Sequence, residues 1–169
     1  MINSEKSRNQ KHVSKEIIGQ ESNILKGMNI VLCITASVAA YKAIDLSRML
    51  MRNGAEVHPV MSKSTNSKLL TAEIMSWATG NTTVTELTSD LEHIALANYG
   101  KSDLIIVYPC TANTLGKFAN GIEDNPVTTV LSVAFGAKIP IVIAPAMHEA
   151  MYENVIIGCL LYTSDAADD

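Results

Sequence analysis

Two short stretches of this chain carry the residues best suited to chemistry. Pro109-Cys110-Thr111-Ala112-Asn113-Thr114 directly follows the apolar run Leu104 to Tyr108. Pro145-Ala146-Met147-His148-Glu149-Ala150-Met151 follows a second apolar run, Ile139 to Ala144. In each, a buried strand is expected to stop at a proline and release small and polar residues. Open parallel sheets bind ligands at the carboxyl ends of their strands, so two such bends point to a ligand site. Thr111 to Thr114 offer hydroxyls, an amide and a helix start. The amide of Asn113 both donates and accepts, which suits a heterocycle edge, a carboxylate or a cap on the following helix.

A third stretch, Thr35-Ala36-Ser37, ends the run Asn29 to Ile34 just before a helical pattern. Free N–H groups and the partial positive charge of a helix start suit phosphate, while the simpler reading of Ser37 is a helix cap. Ser62 and Ser64 follow the next strand and fit a phosphate cradle or a polar turn. No G-x-G-x-x-G fingerprint of dinucleotide binding is present. His93, after Asp90 and Glu92, is of the residue type that serves as a general base and has the place of a capping residue. His148 lies in a strand-end bend, while His12 and His58 read as structural or exposed. Met147 and Met151 fill space in the simplest reading.

The elements that must position these groups alternate. Asn29 to Ile34 is apolar and partly β-branched, as expected of a strand covered on both faces. Val38 to Asn53 is a helix in pattern: Ala40, Ala43, Ile44, Ser47, Leu50 and Met51 share one face, Lys42, Asp45, Arg48 and Arg52 another. Glu56 to Met61 is the second strand, with Pro59 withdrawing one donor, and Val84 suits a short strand. Leu69 to Ala78, His93 to Tyr99, Asn113 to Ala119 and Pro126 to Phe135 read as helices, the last stopping at Gly136. Strands alternating with helices predict a parallel α/β sheet. Residues 1–26 form a polar arm with a short helix over Ser14 to Gln20, and residues 27–158 form the domain.

Composition narrows the function. The chain has 169 residues, 47% hydrophobic and 18% charged, with a net charge of −4. It is long enough for one domain with a core, carries no basic footprint for nucleic acid, and has no apolar run near the roughly 20 residues that cross a bilayer. Lys6, Arg8, Lys11, Lys15 and Glu16 interrupt any apolar signal core, so a cytoplasmic protein is expected. Cys33, Cys110 and Cys159 are too scattered for a zinc site or a disulfide framework, and no metal is expected.

Four signatures in register give the chain a resemblance to the flavin-dependent cysteine decarboxylases. The matching segment covers about Gly27 to Ile157. Ile30 to Lys42, with Ala39-Ala40-Tyr41-Lys42, resembles the family's phosphate end. Glu92-His93-Ile94 resembles the segment with its active-site histidine. Pro109 to Thr114 resembles P-A-S-A-N-T, with Cys110 for alanine and Thr111 for serine. Pro145 to Met151 resembles P-x-M-N-x-x-M, with His148 for asparagine. The resemblance implies a doubly wound, Rossmann-like and flavodoxin-like three-layer α/β/α fold that binds FMN noncovalently, in a trimer-based homo-oligomer whose flavin sites form between subunits. It implies that Thr35, Ala36, Ser37 and Ser62 hold the FMN phosphate and that Thr111, Ala112, Asn113 and Thr114 line the flavin. Ala146, Met147, His148 and Met151, with Asn113, would meet the substrate. His93 would assist proton removal as FMN oxidises the substrate thiol, and the resulting thioaldehyde would lose carbon dioxide to leave an ene-thiolate.

The implied reaction is decarboxylation of 4′-phosphopantothenoylcysteine towards 4′-phosphopantetheine in coenzyme A synthesis. Rival readings are a decarboxylase of C-terminal peptidyl cysteine, a flavin prenyltransferase (which lacks the second motif), and a non-catalytic FMN-holding regulatory subunit. Residues 159–169 resemble the translation of a sequencing-library adapter, so the natural sequence is expected to stop near Gly158. On that expectation the family's substrate clamp, with its reprotonating cysteine, and a ligase domain lie beyond the chain. The fragment would then oxidise and decarboxylate without closing the cycle.

Overall fold

The computed structural model describes residues 12–66 and 70–165. Its frame is a parallel sheet of β1 (Asn29–Ile34), β2 (Glu56–Met61), β3 (Leu104–Cys110) and β4 (Ile141–Pro145), in the order β2-β1-β3-β4. The helices are α1 (Lys42–Arg52), α2 (Lys63–Asn66), α3 (Ala72–Thr79), α4 (Glu92–Ala97), α5 (Ala112–Ala119), α6 (Pro126–Gly136), α7 (Glu149–Tyr152) and α8 (Val155–Asp165). The expected α/β fold with helices on both sheet faces is the one observed.

The central strand explains the layering. Side chains alternate across a strand, so Ile30, Leu32 and Ile34 join Met51 of α1 and Met75 of α3 in one core cluster. Val31 and Cys33 join Val130, Leu131 and Ala134 of α6 in the other. The chain leaves β1 for β2 on one side and later enters β3 on the other, which opens a crevice between the carboxyl ends of β1 and β3. Pro59 is tolerated because β2 is nearly an edge: beyond it lies only a bridge to Val84, whose N–H reaches the Pro59 carbonyl at 3.0 Å.

Several boundaries differ from the sequence pattern. The helix expected over Val38 to Asn53 begins as a 3-10 turn, Val38–Tyr41, before α1. The helix expected from Leu69 starts at Ala72, and residues 67–69 lie outside the described residues. Gly136 does not stop α6; it is its last helical residue, and Lys138 takes the left-handed turn at φ +57°. The N–H of Ile139 then closes on Ala134 O at 3.0 Å, so β4 begins only at Ile141. Beyond β4, α8 carries the chain past Gly158, and Leu160 and Leu161 lean on the α6-side cluster.

The segment read as a polar arm is the largest correction. Residues 1–11 lie outside the described residues, but residues 12–26 are packed against the domain. Val13–Ile17 forms a 3-10 helix. Ser14 donates to the Trp77 carbonyl, and Lys15 pairs closely with Glu56. Gly19 N donates to Met51 O at 3.0 Å, Glu21 N to Arg52 O at 3.0 Å, and Leu25 N to Asn53 O at 2.9 Å. The last carbonyls of a helix lack partners of their own, and here this segment supplies them to the end of α1. Polar composition suggested solvent; the polarity instead serves backbone and ion-pair contacts. Among the described residues no helix is long and apolar enough to cross a membrane.

Gly54 makes that docking possible. Its φ is +108°, and a Cβ there would stand 2.9 Å from Lys26 N and 3.0 Å from Lys26 Cα. Backbone cannot yield as a side-chain tip can. Gly54→Ala is expected to destabilise the fold by about 2 kcal/mol, the middle of the range for strained backbone positions. An unchanged urea midpoint would refute this close approach.

Candidate functional site

All four strands deliver their carboxyl ends to one rim, and hydrogen bonds join those ends in sequence across the sheet. Ser62 N donates to Ile34 O at 3.1 Å, tying the end of β2 to β1. Thr35 Oγ1 donates to Pro109 O at 2.8 Å and accepts from Thr111 N at 3.1 Å, tying β1 to β3. Ala146 N donates to Cys110 O at 2.8 Å, tying β3 to the end of β4. The Tyr108–Pro109 peptide is cis. Above this rim lies a cavity of about 550 Å3, within the usual range of ligand sites.

The cavity gathers most of the expected residues. Thr35, Ala36, Ser37 and Ser62 line it, as do Thr111, Ala112, Asn113 and Thr114, and from the second bend Ala146, Met147 and Met151. Their hydrogen bonds separate groups committed to the fold from groups left for a ligand. Thr35 is 1% exposed, and its hydroxyl proton and N–H both go to Pro109 O. It therefore has no donor for a phosphate, and the role expected of it is corrected to a brace between β1 and β3. The Ser62 hydroxyl is engaged with Thr65 Oγ1 at 2.8 Å. Ser37 Oγ accepts from Ala39 N at 3.3 Å, capping the 3-10 turn, and its proton has no acceptor among the bonds described. Capping and ligand binding are thus compatible there.

At the start of α5 the cap is Thr111, whose Oγ1 accepts from Thr114 N at 3.3 Å and meets Thr114 Oγ1 at 3.1 Å. That answers the ambiguity over Asn113: it does not cap. Its exposed side chain faces the cavity with its amide uncommitted. Cys110, which stands where the resembling motif has alanine, is buried, and burial pushes its thiol up to about 12. A thiol so held stays neutral and serves as packing. Burial, with Cys110 nearby, raises the Cys33 thiol as well.

Two expected residues are not brought into the cavity. His148 is exposed, and its Nδ1 accepts from Ala150 N at 3.2 Å as the cap of α7. In this chain it serves as the cap of α7. His93 is the second residue of α4, which packs on α6, and lies outside the lining of this chain's own cavity. Its Nδ1 is buried with no partner in the described structure. Sequence reading missed Lys63, Lys117, Asp124 and Asn125, which also line the cavity. Lys117 was findable: it lies four residues after Asn113 and so on the same helical face. Asp124 and Asn125 were legible only as a helix start. No group of three metal-ligating side chains occurs among the described residues.

Comparison with known proteins agrees with this geometry. The family described as Flavoprotein matches residues 18–158. The chain belongs to the flavoprotein family. It is 49% identical over 148 residues to the coenzyme A biosynthesis bifunctional protein CoaBC of Thermococcus kodakarensis, covering 86% of this chain and 36% of that protein. It is 37% identical to a probable phosphopantothenoylcysteine decarboxylase of Streptococcus mutans, covering 75% of this chain and 72% of that one. The chain thus spans about a third of the length of the bifunctional relatives it matches. Among solved structures, peptidyl-cysteine decarboxylase EpiD superposes with a TM-score of 0.73 at 26% identity, over 83% of this chain and 82% of that one. A PPC decarboxylase mutant complexed with pantothenoylaminoethenethiol superposes at 0.69 and 28%, over 83% and 78%.

The brace makes the flavoprotein site testable apart from catalysis. Thr35→Val strands the Thr111 N–H inside the protein, which costs about 1–3 kcal/mol; Thr35→Ser keeps both bonds. Chemical denaturation should place the serine variant near wild type and the valine variant well below. Equal stability of the two would remove the brace.

Proposed function

We propose that this flavoprotein domain binds FMN and decarboxylates 4′-phosphopantothenoylcysteine towards 4′-phosphopantetheine. The observation that carries the reading is a single cavity that collects the strand-end residues of β1, β2, β3 and β4. The 49% identity to CoaBC supports the substrate.

The residues present fit such a cofactor. Ser37 offers a free hydroxyl proton where β1 ends, Ser62 stands beside it, and the cavity admits a fused ring system. Bound FMN would supply the two-electron oxidation of the substrate thiol. The chain's own groups do the rest. Ser37 and the nearby N–H groups would hold the phosphate. Asn113 directs its amide at the substrate carboxylate. Ala146, Met147 and Met151 form an apolar wall that excludes water from the reacting carbon. His93 accepts the proton released there. His93 lies outside its own chain's cavity, which supports a reading in which it serves the cavity of a neighbouring protomer in a homo-oligomer built on trimers. A small charged metabolite as substrate fits a cytoplasmic enzyme.

A peptide with C-terminal cysteine is the second reading, favoured by the likeness to EpiD. The two share the cavity and differ in what extends from the cysteine nitrogen. Carbon dioxide release from each substrate in single turnover separates them. His93→Asn is expected to lower the rate by about 10²–10⁴, the usual contribution of a general base, while the yellow flavin spectrum stays. Undiminished release would strike His93 from the mechanism, and release from the peptide alone would replace the substrate assignment.

A further inference from the structure

The cavity carries two separate groups of anion donors. Ser37, whose hydroxyl proton is uncommitted, stands at the end of β1, beside Ser62 at the end of β2, whose hydroxyl is spent on Thr65. Across the rim, α5 contributes the N–H groups of Ala112 and Asn113, which have no partner within the helix, the uncommitted amide of Asn113, and the ammonium of Lys117. Asn113 and Lys117 sit one helical turn apart on the same face. A phosphate bound by the first group leaves the second for a different anion.

Lys117 is held in place by a chain of bonds that ends in a helix cap. Its Nζ donates to Asp124 Oδ2 at 2.5 Å. Asp124 Oδ1 accepts from Asn125 Nδ2 at 2.8 Å. Asn125 Oδ1 in turn accepts from Val127 N at 3.1 Å and Thr128 N at 3.3 Å, and Asn125 N donates to Thr128 Oγ1 at 3.3 Å. The capping box keeps Asn125 from turning, so Asp124 and then Lys117 are fixed in direction. The bond to Lys117, together with Asn125, holds the Asp124 carboxyl below its ordinary range. With 26% and 49% of their side chains exposed, the two ions add little to stability. Their arrangement instead leaves an ammonium at the cavity wall with donor capacity remaining beyond Asp124.

We propose that Lys117 is a specificity-determining residue: together with Asn113 it holds the carboxylate of the substrate, and Asp124 is its positioning residue. This rests on the reading of the cavity as the site of FMN and an acidic cysteine-derived substrate. The ligand class is a small molecule bearing a carboxylate on the carbon next to the reacting one. The charge selects for that carboxylate and against its decarboxylated product, which lacks the group and leaves.

The test uses the full chain loaded with FMN and two unreactive probes that differ only in the carboxylate. One is the substrate with serine in place of cysteine; the other is the corresponding ethanolamine amide. Binding is read from the flavin absorbance. Lys117→Gln should weaken the serine probe about tenfold, which corresponds to about 1.4 kcal/mol, and leave the ethanolamine probe unchanged. Lys117→Arg should restore most of the loss. In the unmodified protein, rising salt should narrow the gap between the probes, because a neutral amide alone would give a gap that salt does not screen; this arm needs no variant to fold. Equal weakening of both probes, no weakening of either, a gap indifferent to salt, or a fall in FMN affinity instead would overturn the role of Lys117. If neither probe perturbs the flavin of the unmodified protein, the substrate reading itself fails and the proposal falls with it.

Discussion

One hydroxyl holds the site together. Thr35 Oγ1 gives its proton to Pro109 O and takes that of Thr111 N, across the crevice where the chain order of the sheet reverses. Every parallel sheet with strands leaving its centre in both directions must split at that point, and the split exposes backbone groups that strands elsewhere satisfy between themselves. A threonine with one donor and two lone pairs closes the gap without closing the crevice. The floor of the cavity is therefore set by the fold and not by whatever ligand fills it.

From that brace the polar groups of the rim sort into two kinds. Thr65, Thr111 and Thr114 spend their hydroxyls on neighbours, and Thr65 and Thr114 are buried. Ser37 and Asn113 keep donor capacity that faces the cavity. This sorting is what turns a strand-end loop into a binding site, because groups already paired inside the protein have nothing to offer a ligand. It also shows how a residue can belong to a functional motif for structural reasons. Thr35 and Thr111 stand in the motifs, but they shape the wall and leave the free donor capacity to their neighbours.

Support for the rim comes from both sheet faces. The α1–α3 face and the α6 face bury alternate side chains of β1, so neither core can shift without moving the strand that ends in Thr35. Residues 12–26 extend the first face by satisfying the carbonyls at the end of α1. Their Lys15–Glu56 pair reaches β2 itself. The carboxyl of Glu56 is pulled in two directions: burial raises it, while bonds from Lys15 and Asn81 and the charge of Lys15 lower it, and the lowering wins. It stays ionised, which keeps the segment clamped.

How far the sequence carried depended on range. Strand β1 and the span of β2 are legible in the order of residues, as are the start of α6 at Asn125-Pro126 and the two proline-ended bends, because a period of two, a period of 3.6 and a proline are local facts. The flavoprotein family is legible too, since its motifs are short and ordered. Which hydroxyl braces and which one keeps its proton free was not: Thr35 and Ser37 are two residues apart, chemically alike, and differ only in what β3 brings within 3 Å. Nor could the sequence say that a polar N-terminal stretch caps α1, that His148 turns to α7, or that Lys117 meets Asp124 at the cavity. Hydrogen bonds are directional and act at short range, so their partners are decided only when distant segments have been folded side by side.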